Sequence, residues 1–239
     1  MGITFKAYIH KVIKKEISDT EMILFSGLFL LITGLGVLLS YEKIFNIEPE
    51  NNILFALMGL GFLAILFTHF YQFYDFEKIK NKKNGFLELD VNELIINYNE
   101  KIKYEELTGF ELLIDAYYDE KINIYNRNPT EKRSLGISNS LTITHKSKSR
   151  TFNFKLENKS HQKVLERNIY QLVINNKLKN IDGKKSIKLI PNQYRDFKEY
   201  KEYIGKQLKE RKVSCTEGLL LMGYKNYEEA QELKKKYCG

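Results

Sequence analysis

The sequence predicts a membrane-anchored α+β chain. It reads as a two-helix transmembrane hairpin, a run of short antiparallel strands closed by one amphipathic helix, and a small helical segment at the C-terminus. Three observations predict this. Two uncharged apolar runs, residues 22–40 and 53–74, stand in the first third of a 239-residue chain. From Gly85 the apolar residues recur with period two. From residue 160, and again after Gln193, they recur with the period of a helix. The changes of pattern divide the chain into 1–21, a cytoplasmic amphipathic N-terminal segment; 22–76, the hairpin; 84–176, the β-domain with its capping helix; 177–193, a linker; and 194–239, a helical segment.

The two runs are apolar on every face, with no polar stripe to meet water, which separates them from the buried helices of a soluble protein. At about 1.5 Å per residue, each is long enough for the roughly 30 Å hydrocarbon core. The first is too long for the apolar part of a signal peptide and lacks a small-x-small cleavage site. Lys6, Lys11, Lys14 and Lys15 precede the hairpin, and Lys78, Lys80, Lys82 and Lys83 follow it. The connecting loop sets Lys43 against Glu42, Glu48 and Glu50. This distribution predicts a multi-pass protein of the cell (inner) membrane with both termini in the cytoplasm. Phe67, Phe70, Tyr71, Phe73 and Tyr74 form an aromatic belt at the inner boundary. Both helices carry the tripeptide GLG, and small residues let helices approach where lipid offers no hydrophobic drive. Gly34, Gly36, Gly59 and Gly61 are therefore the expected packing residues, with Gly34 and Gly59 at similar depth.

In the β-region, Leu87, Leu89 and Val91 alternate with Glu88 and Asp90. Further strands are expected at 93–98, 101–104, 108–114, 121–125, 141–145 and 151–156, with tight turns at 91–93 and 99–101. The stretch KIKYEELTGFELL, 101–113, reads as strand, turn and strand. The helix at 160–176 carries Leu165, Ile169, Leu172 and Val173 on one stripe, long enough to plug an open barrel end.

Six or seven short strands followed by one helix, directly after a membrane hairpin, resemble the bacterial pleckstrin-homology-like membrane proteins. The local pattern of that family is a glycine-led first strand, here NGFLEL at 84–89, and an I-x-Y-x-x-L step into the third strand, here IKYEEL at 102–107. The resemblance covers residues 22–176. It implies a partly open antiparallel β-barrel capped by one helix, serving as a binding or assembly platform, with no activity implied. Eukaryotic members grip phosphoinositides through basic residues in the loop joining the first two strands. Here that loop, 90–93, is acidic (Asp90, Glu93), which argues against specific phosphoinositide binding.

The net charge of +8 conceals an asymmetry. Residues 84–130 hold ten acidic and four basic side chains, whereas 131–180 hold three acidic and eleven basic. Lys132, Arg133, Lys146, Lys148 and Arg150 are candidate contacts for an anionic surface or ligand. No nucleic acid is expected, because no reader motif is present and the basic residues are not interleaved with aromatics. The two cysteines, Cys215 and Cys238, read as reduced thiols of a cytosolic tail. The Trp-free composition, rich in Lys, Asn and Ile, fits an AT-rich bacterial coding sequence. In the C-terminal segment Tyr194, Phe197, Tyr200, Tyr203, Ile204 and Leu208 form a helical stripe able to hold a partner, ahead of two short helices about Gly223 in which Leu219, Leu220 and Leu221 pack on Ala230 and Leu233.

His10, His69, His145 and His161 are scattered, none at ligand spacing with another His or Cys, and no glycine-rich phosphate loop lies outside the membrane runs. The sequence thus offers no catalytic residues, metal site or cofactor, and a non-enzyme is expected. Three functions remain open. The first is a membrane-tethered interaction or assembly module working on the bilayer with a protein partner or as a homo-oligomer. The second is a membrane effector of a bacterial defence system whose barrel senses a small ligand such as a cyclic nucleotide. It requires a basic, aromatic-lined interior, for which Tyr104, Phe110 and Tyr125 are the candidates together with Lys146 and Arg150. The third is an anionic-lipid-surface or transport accessory.

Overall fold

A computed structural model describes residues 2–40 and 52–238. The acidic loop charges Glu42, Glu48 and Glu50, with Lys43, lie outside the described residues. Two helices, α1 (Asp19–Ser40) and α2 (Asn52–Tyr71), are long and apolar enough to cross a membrane. Their large apolar side chains point outward, Phe29 being 69% and Ile32 70% exposed. The chain packs as two units. One comprises Val12–Lys82 and Ala116–Ile137; the other comprises Met1–Lys11, Lys83–Asp115 and Ser138–Gly239.

In the hairpin unit α1 and α2 run antiparallel, with Gly27 set against Gly61 and Gly34 against Met58. The long connection 116–137 contains no helix or strand, only isolated bridges from Arg133 to Lys121 and to Phe76. The strand expected at 121–125 is therefore absent. Buried carboxylates recruit the segment's backbone and hydroxyls instead: Glu77 accepts from Ser134 Oγ (2.9 Å) and from the Leu135 amide (3.1 Å). Asp75 Oδ2 accepts from the Thr20 amide (2.8 Å), tying the start of α1 to the chain beyond α2.

The other unit is built on most of a seven-stranded antiparallel sheet, of which residues 12–15 and 79–82 fall in the hairpin unit. Its strands are β1 (Phe5–Lys15), β2 (Ile79–Leu89), β3 (Glu93–Ile96), β4 (Glu100–Lys103), β5 (Leu107–Leu113), β6 (Asn139–His145) and β7 (Lys148–Phe154). Their order is β4-β3-β2-β1-β7-β6-β5. The sheet thus begins ahead of the helical hairpin, and the N-terminal residues are no separate segment. Phe5, Ala7 and Ile9 are buried while Lys6 and Tyr8 point out, the alternation of a half-buried strand.

The stretch 101–113 does form strand, turn and strand, yet its two strands do not pair with each other. β4 and β5 are the two edges of the sheet, joined by a single 3₁₀ turn, Tyr104–Glu106. In a flat sheet six strand spacings would hold them about 29 Å apart. Four residues of extended chain reach only about 14 Å. The sheet must therefore curl until its edges meet at this corner. The β3–β4 turn falls at 97–99 rather than at 99–101, with Ile96 opposite Glu100.

Helix α3 (Lys159–Ile174) is capped by Asn158, whose side chain accepts from the His161 amide (2.9 Å), and buries the expected stripe of Leu165, Ile169, Leu172 and Val173. Asn168 Nδ2 donates to the carbonyls of Ile3 (2.5 Å) and Leu89 (3.0 Å), binding α3 to the starts and ends of sheet strands. The expected linker 177–193 is packed chain. It holds α4 (Gly183–Lys188), capped by Asp182, and buries Leu178, Ile181, Ile187 and Ile190. Three further helices follow: α5 (Lys198–Lys209), α6 (Cys215–Met222) and α7 (Tyr227–Cys238). The tyrosine stripe of α5 is not a free surface, because Tyr200 and Tyr203 are buried within the unit. Burial pushes the Tyr203 phenol up to about 12.

The chain reverses at Gly223 (φ +67°), as expected from its position between two helices. Leu219 is buried there, but Leu220 faces outward. The reversal brings the first residue of α6 against the last of α7, and Cys215 and Cys238 form a disulfide. The two separate reduced thiols expected from sequence are thus corrected. When oxidised, this bond closes a loop of 23 residues and removes unfolded-chain entropy worth about 3 kcal/mol.

Candidate functional site

The region between the two edges of the curled sheet collects charges that were segregated in the sequence. Glu100, the first residue of β4, receives two bonds from the Arg150 guanidinium on β7, at 2.8 and 2.6 Å. Glu106 lies 3.1 Å from His145 Nε2, and Glu105 accepts from Lys179 Nζ at 2.8 Å. Two of these contacts, Glu100 with Arg150 and Glu105 with Lys179, thus pair the acid-rich segment with the base-rich one at the surface. Arg150 holds the Glu100 carboxyl below the ordinary carboxylate range, and Glu100 raises the Arg150 guanidinium in turn.

Glu100, His145, Lys146, Lys148, Ser149 and Arg150 line an open depression of about 550 Å³ in this region. Its rim is the β6–β7 turn, where His145 pairs with Lys148 across Lys146 and Ser147. Both central residues have positive φ, +48° and +61°. A two-residue turn of this hand favours Asn-Gly, and neither Lys nor Ser adopts it without strain. Such strain gathers at functional sites. Lys146 and Lys148 are exposed and enter no ion pair among the described residues.

Two outcomes follow from this geometry. Replacing the turn by Asn-Gly, as Lys146→Asn with Ser147→Gly, stabilises the protein by about 1–2 kcal/mol in a denaturant melt. Glu100 has a lower pKa folded than unfolded, so its pairing contributes stability above the unfolded value of about 4.3 and loses it as pH falls through the folded value. Wild type should therefore exceed Glu100→Gln in stability at pH 6, and the two melts should converge as pH falls through the folded value.

The other candidate residues lie elsewhere. Lys132 and Arg133 belong to the hairpin unit and offer no charge to a partner. Lys132 is only 5% exposed, and its Nζ donates to the carbonyls of Asn123 (2.5 Å) and Asn126 (3.4 Å). The Arg133 guanidinium pairs with Asp119 and donates to the Phe73 carbonyl (2.7 Å). Buried or chain-bound cations of this kind are structural fasteners. Lys78 is likewise held by Asp19 (2.5 Å), and Lys83 sits 3.1 Å from the centre of the Tyr8 ring.

Tyr104 and Phe110 lie inside the curled sheet, packed with the core leucines and isoleucines. Tyr125 does not join them: it belongs to the hairpin unit and is 97% exposed, because the strand expected to turn it inward does not form. Of the four glycines, Gly34 and Gly61 lie at the helix interface, whereas a Cβ added at Gly36 or Gly59 would meet nothing within 4 Å. Gly27 is the interfacial glycine that the repeated tripeptide did not indicate. Nor did the sequence indicate Glu100 and Glu106 as partners of the basic hairpin, since nothing local joins residues 39 to 50 positions apart.

Comparison with family models, with curated proteins and with solved structures returns no match for this chain.

Proposed function

We propose that the chain is a non-enzymatic interaction module of the pleckstrin-homology-like kind, tethered to the inner face of the cell membrane by α1 and α2. Its β6–β7 turn is the surface that meets an acidic patch on a partner protein. The observation that carries this reading is the contrast in the region between the sheet edges. Arg150, His145 and Lys179 are matched to carboxylates of the same unit, while Lys146 and Lys148 project from a strained turn with no such match among the described residues. A cation left unpaired at the centre of a shaped, partly neutralised surface gives orientation and choice of partner more than bulk affinity. The curled seven-stranded sheet followed directly by α3 supports the pleckstrin-homology-like assignment. Packing of Tyr104 and Phe110 into the core favours this module over a sensor with a ligand in its barrel.

Native mass spectrometry of the full-length protein, extracted gently from its own membranes, tests the reading. A protein partner or a defined assembly should accompany the wild type and be lost from Lys146→Glu/Lys148→Glu. A small anion retained equally by both forms, with no protein partner, would instead support the sensor-effector.

A further inference from the structure

The connection 116–137 carries a feature unrelated to the sheet. Residues 123–126 form a β-turn, closed by the Asn126 amide donating to the Asn123 carbonyl at 3.1 Å. Its central residues are Ile124 and Tyr125, 61% and 97% exposed. Turn centres ordinarily hold Gly, Pro, Asn, Asp or Ser. A large aliphatic and an aromatic residue displayed there gain nothing from water and nothing from turn geometry.

The turn is also fixed in place rather than left loose. Lys132 Nζ holds the carbonyls of Asn123 and Asn126, and Asn123 Nδ2 donates to the Glu131 carbonyl at 3.2 Å. The Lys132 amide in turn donates to the carbonyl of Gln72, the residue that follows α2 by one position (3.1 Å). A lysine stem of four carbons reaches roughly 6 Å. The turn therefore starts within about 12 Å of the end of α2. A headgroup layer is about 5–8 Å deep on each side of the hydrocarbon. Other large side chains of this unit are exposed near the same helix ends, among them Ile17, Phe73 and Tyr74. Arg127, next to the turn, is exposed as well.

We propose that the turn bearing Ile124 and Tyr125 is a lipid anchor, set into the interfacial layer of the same leaflet in which α2 ends. The aromatic belt is then built from two separate parts of the chain, the end of α2 and this turn, with Arg127 at phosphate level. Tyr suits that depth because its ring is apolar and its hydroxyl is wet. The bilayer, rather than a protein groove, is the occupant because the turn is continuous by hydrogen bonds with the end of a helix of membrane-spanning length. The inference rests on the membrane reading of α1 and α2.

The chain contains no Trp, so single Trp variants of the full-length protein report position directly. Tyr125→Trp and Phe29→Trp replace side chains that are both largely exposed and so disturb little packing. Each is reconstituted into phosphatidylglycerol–phosphatidylcholine vesicles containing lipids brominated at a shallow or a deep acyl position. Tyr125→Trp should show blue-shifted emission, loss of emission with shallow bromines greater than with deep ones, and protection from iodide. Phe29→Trp, near the middle of α1, should be quenched most by deep bromines. Iodide-accessible, unquenched Tyr125→Trp beside a deeply quenched Phe29→Trp would overturn the anchor alone. An unquenched Phe29→Trp would overturn the membrane reading, and the anchor with it.

Discussion

Gly27→Leu and Gly61→Leu will each destroy the helical hairpin, while Gly36→Leu and Gly59→Leu will leave it intact. A Cβ on Gly27 would stand 2.8 Å from the Gly61 carbonyl oxygen, and one on Gly61 would stand 2.8 Å from the carbonyl oxygen of Gly27. Both obstacles are backbone, which cannot rotate away as a side chain can. The helices would have to separate along the whole seam, forfeiting dispersion contacts that no lipid-driven hydrophobic term replaces. At least about 3 kcal/mol is expected for each. Gly36 and Gly59 face open space, so their side chains would meet only solvent or lipid. Gly34 is intermediate: its Cβ would meet the flexible Met58 side chain at 2.6 Å, so Gly34→Ala should be tolerated with a smaller loss. Thermal stability of each purified full-length variant in detergent, followed by retention of the monodisperse peak, separates the two classes.

Tyr104→Ala is expected to cost about 3–5 kcal/mol, the largest effect of any single truncation in the sheet unit. Tyr104 is fully buried at the corner where β4 becomes β5, and its hydroxyl donates to the Asp90 carbonyl at 2.8 Å. Burial, with Asp90 and Glu93 nearby, pushes its phenol far above the ordinary range, so the ring stays neutral at every physiological pH. The same ring thus fills the interior and ties the β4–β5 corner to the β2–β3 turn. Tyr104→Phe keeps the filling and removes only the tie, at about 1 kcal/mol. Denaturant unfolding of the two variants measures the parts separately; equal losses would show that the hydroxyl, not the packing, dominates.

Much of this architecture was legible in the residues because it rests on short-range periodicity. The apolar runs gave α1 and α2, alternation gave β2 to β7, and the stripe from Leu165 to Val173 gave α3. The misses share a cause. Phe5, Ala7 and Ile9 alternate as clearly as any later strand, but their partners lie beyond the helical hairpin, so only the fold reveals that β1 sits between β2 and β7. Gly27 stands seven residues before Gly34, on the same helical face, a spacing that the more conspicuous tripeptide GLG masked. In the connection 116–137 the run KINIY has strand composition, yet the Glu77 carboxylate and the backbone carbonyls of Gln72 and Asp75 after α2 hold its neighbours in irregular chain. Lys132 and Arg133 illustrate the limit for the site: a basic pair looks the same in sequence whether it faces a partner or fastens a loop. The disulfide was hidden similarly, because 23 residues of separation give no sign that α6 and α7 fold back together.

Everything proposed for the β6–β7 turn depends on the side of the bilayer on which it lies. In a Cys215→Ser/Cys238→Ser background, single cysteines are placed by Lys146→Cys on the turn and by Glu48→Cys in the segment between the membrane runs. Intact cells, stripped of any outer barrier, are treated with a membrane-impermeant maleimide before and after permeabilisation. The prediction is immediate labelling of Glu48→Cys and labelling of Lys146→Cys only after permeabilisation. Labelling of Lys146→Cys in intact cells, or equal labelling of both positions from the outset, would contradict a module tethered at the inner face.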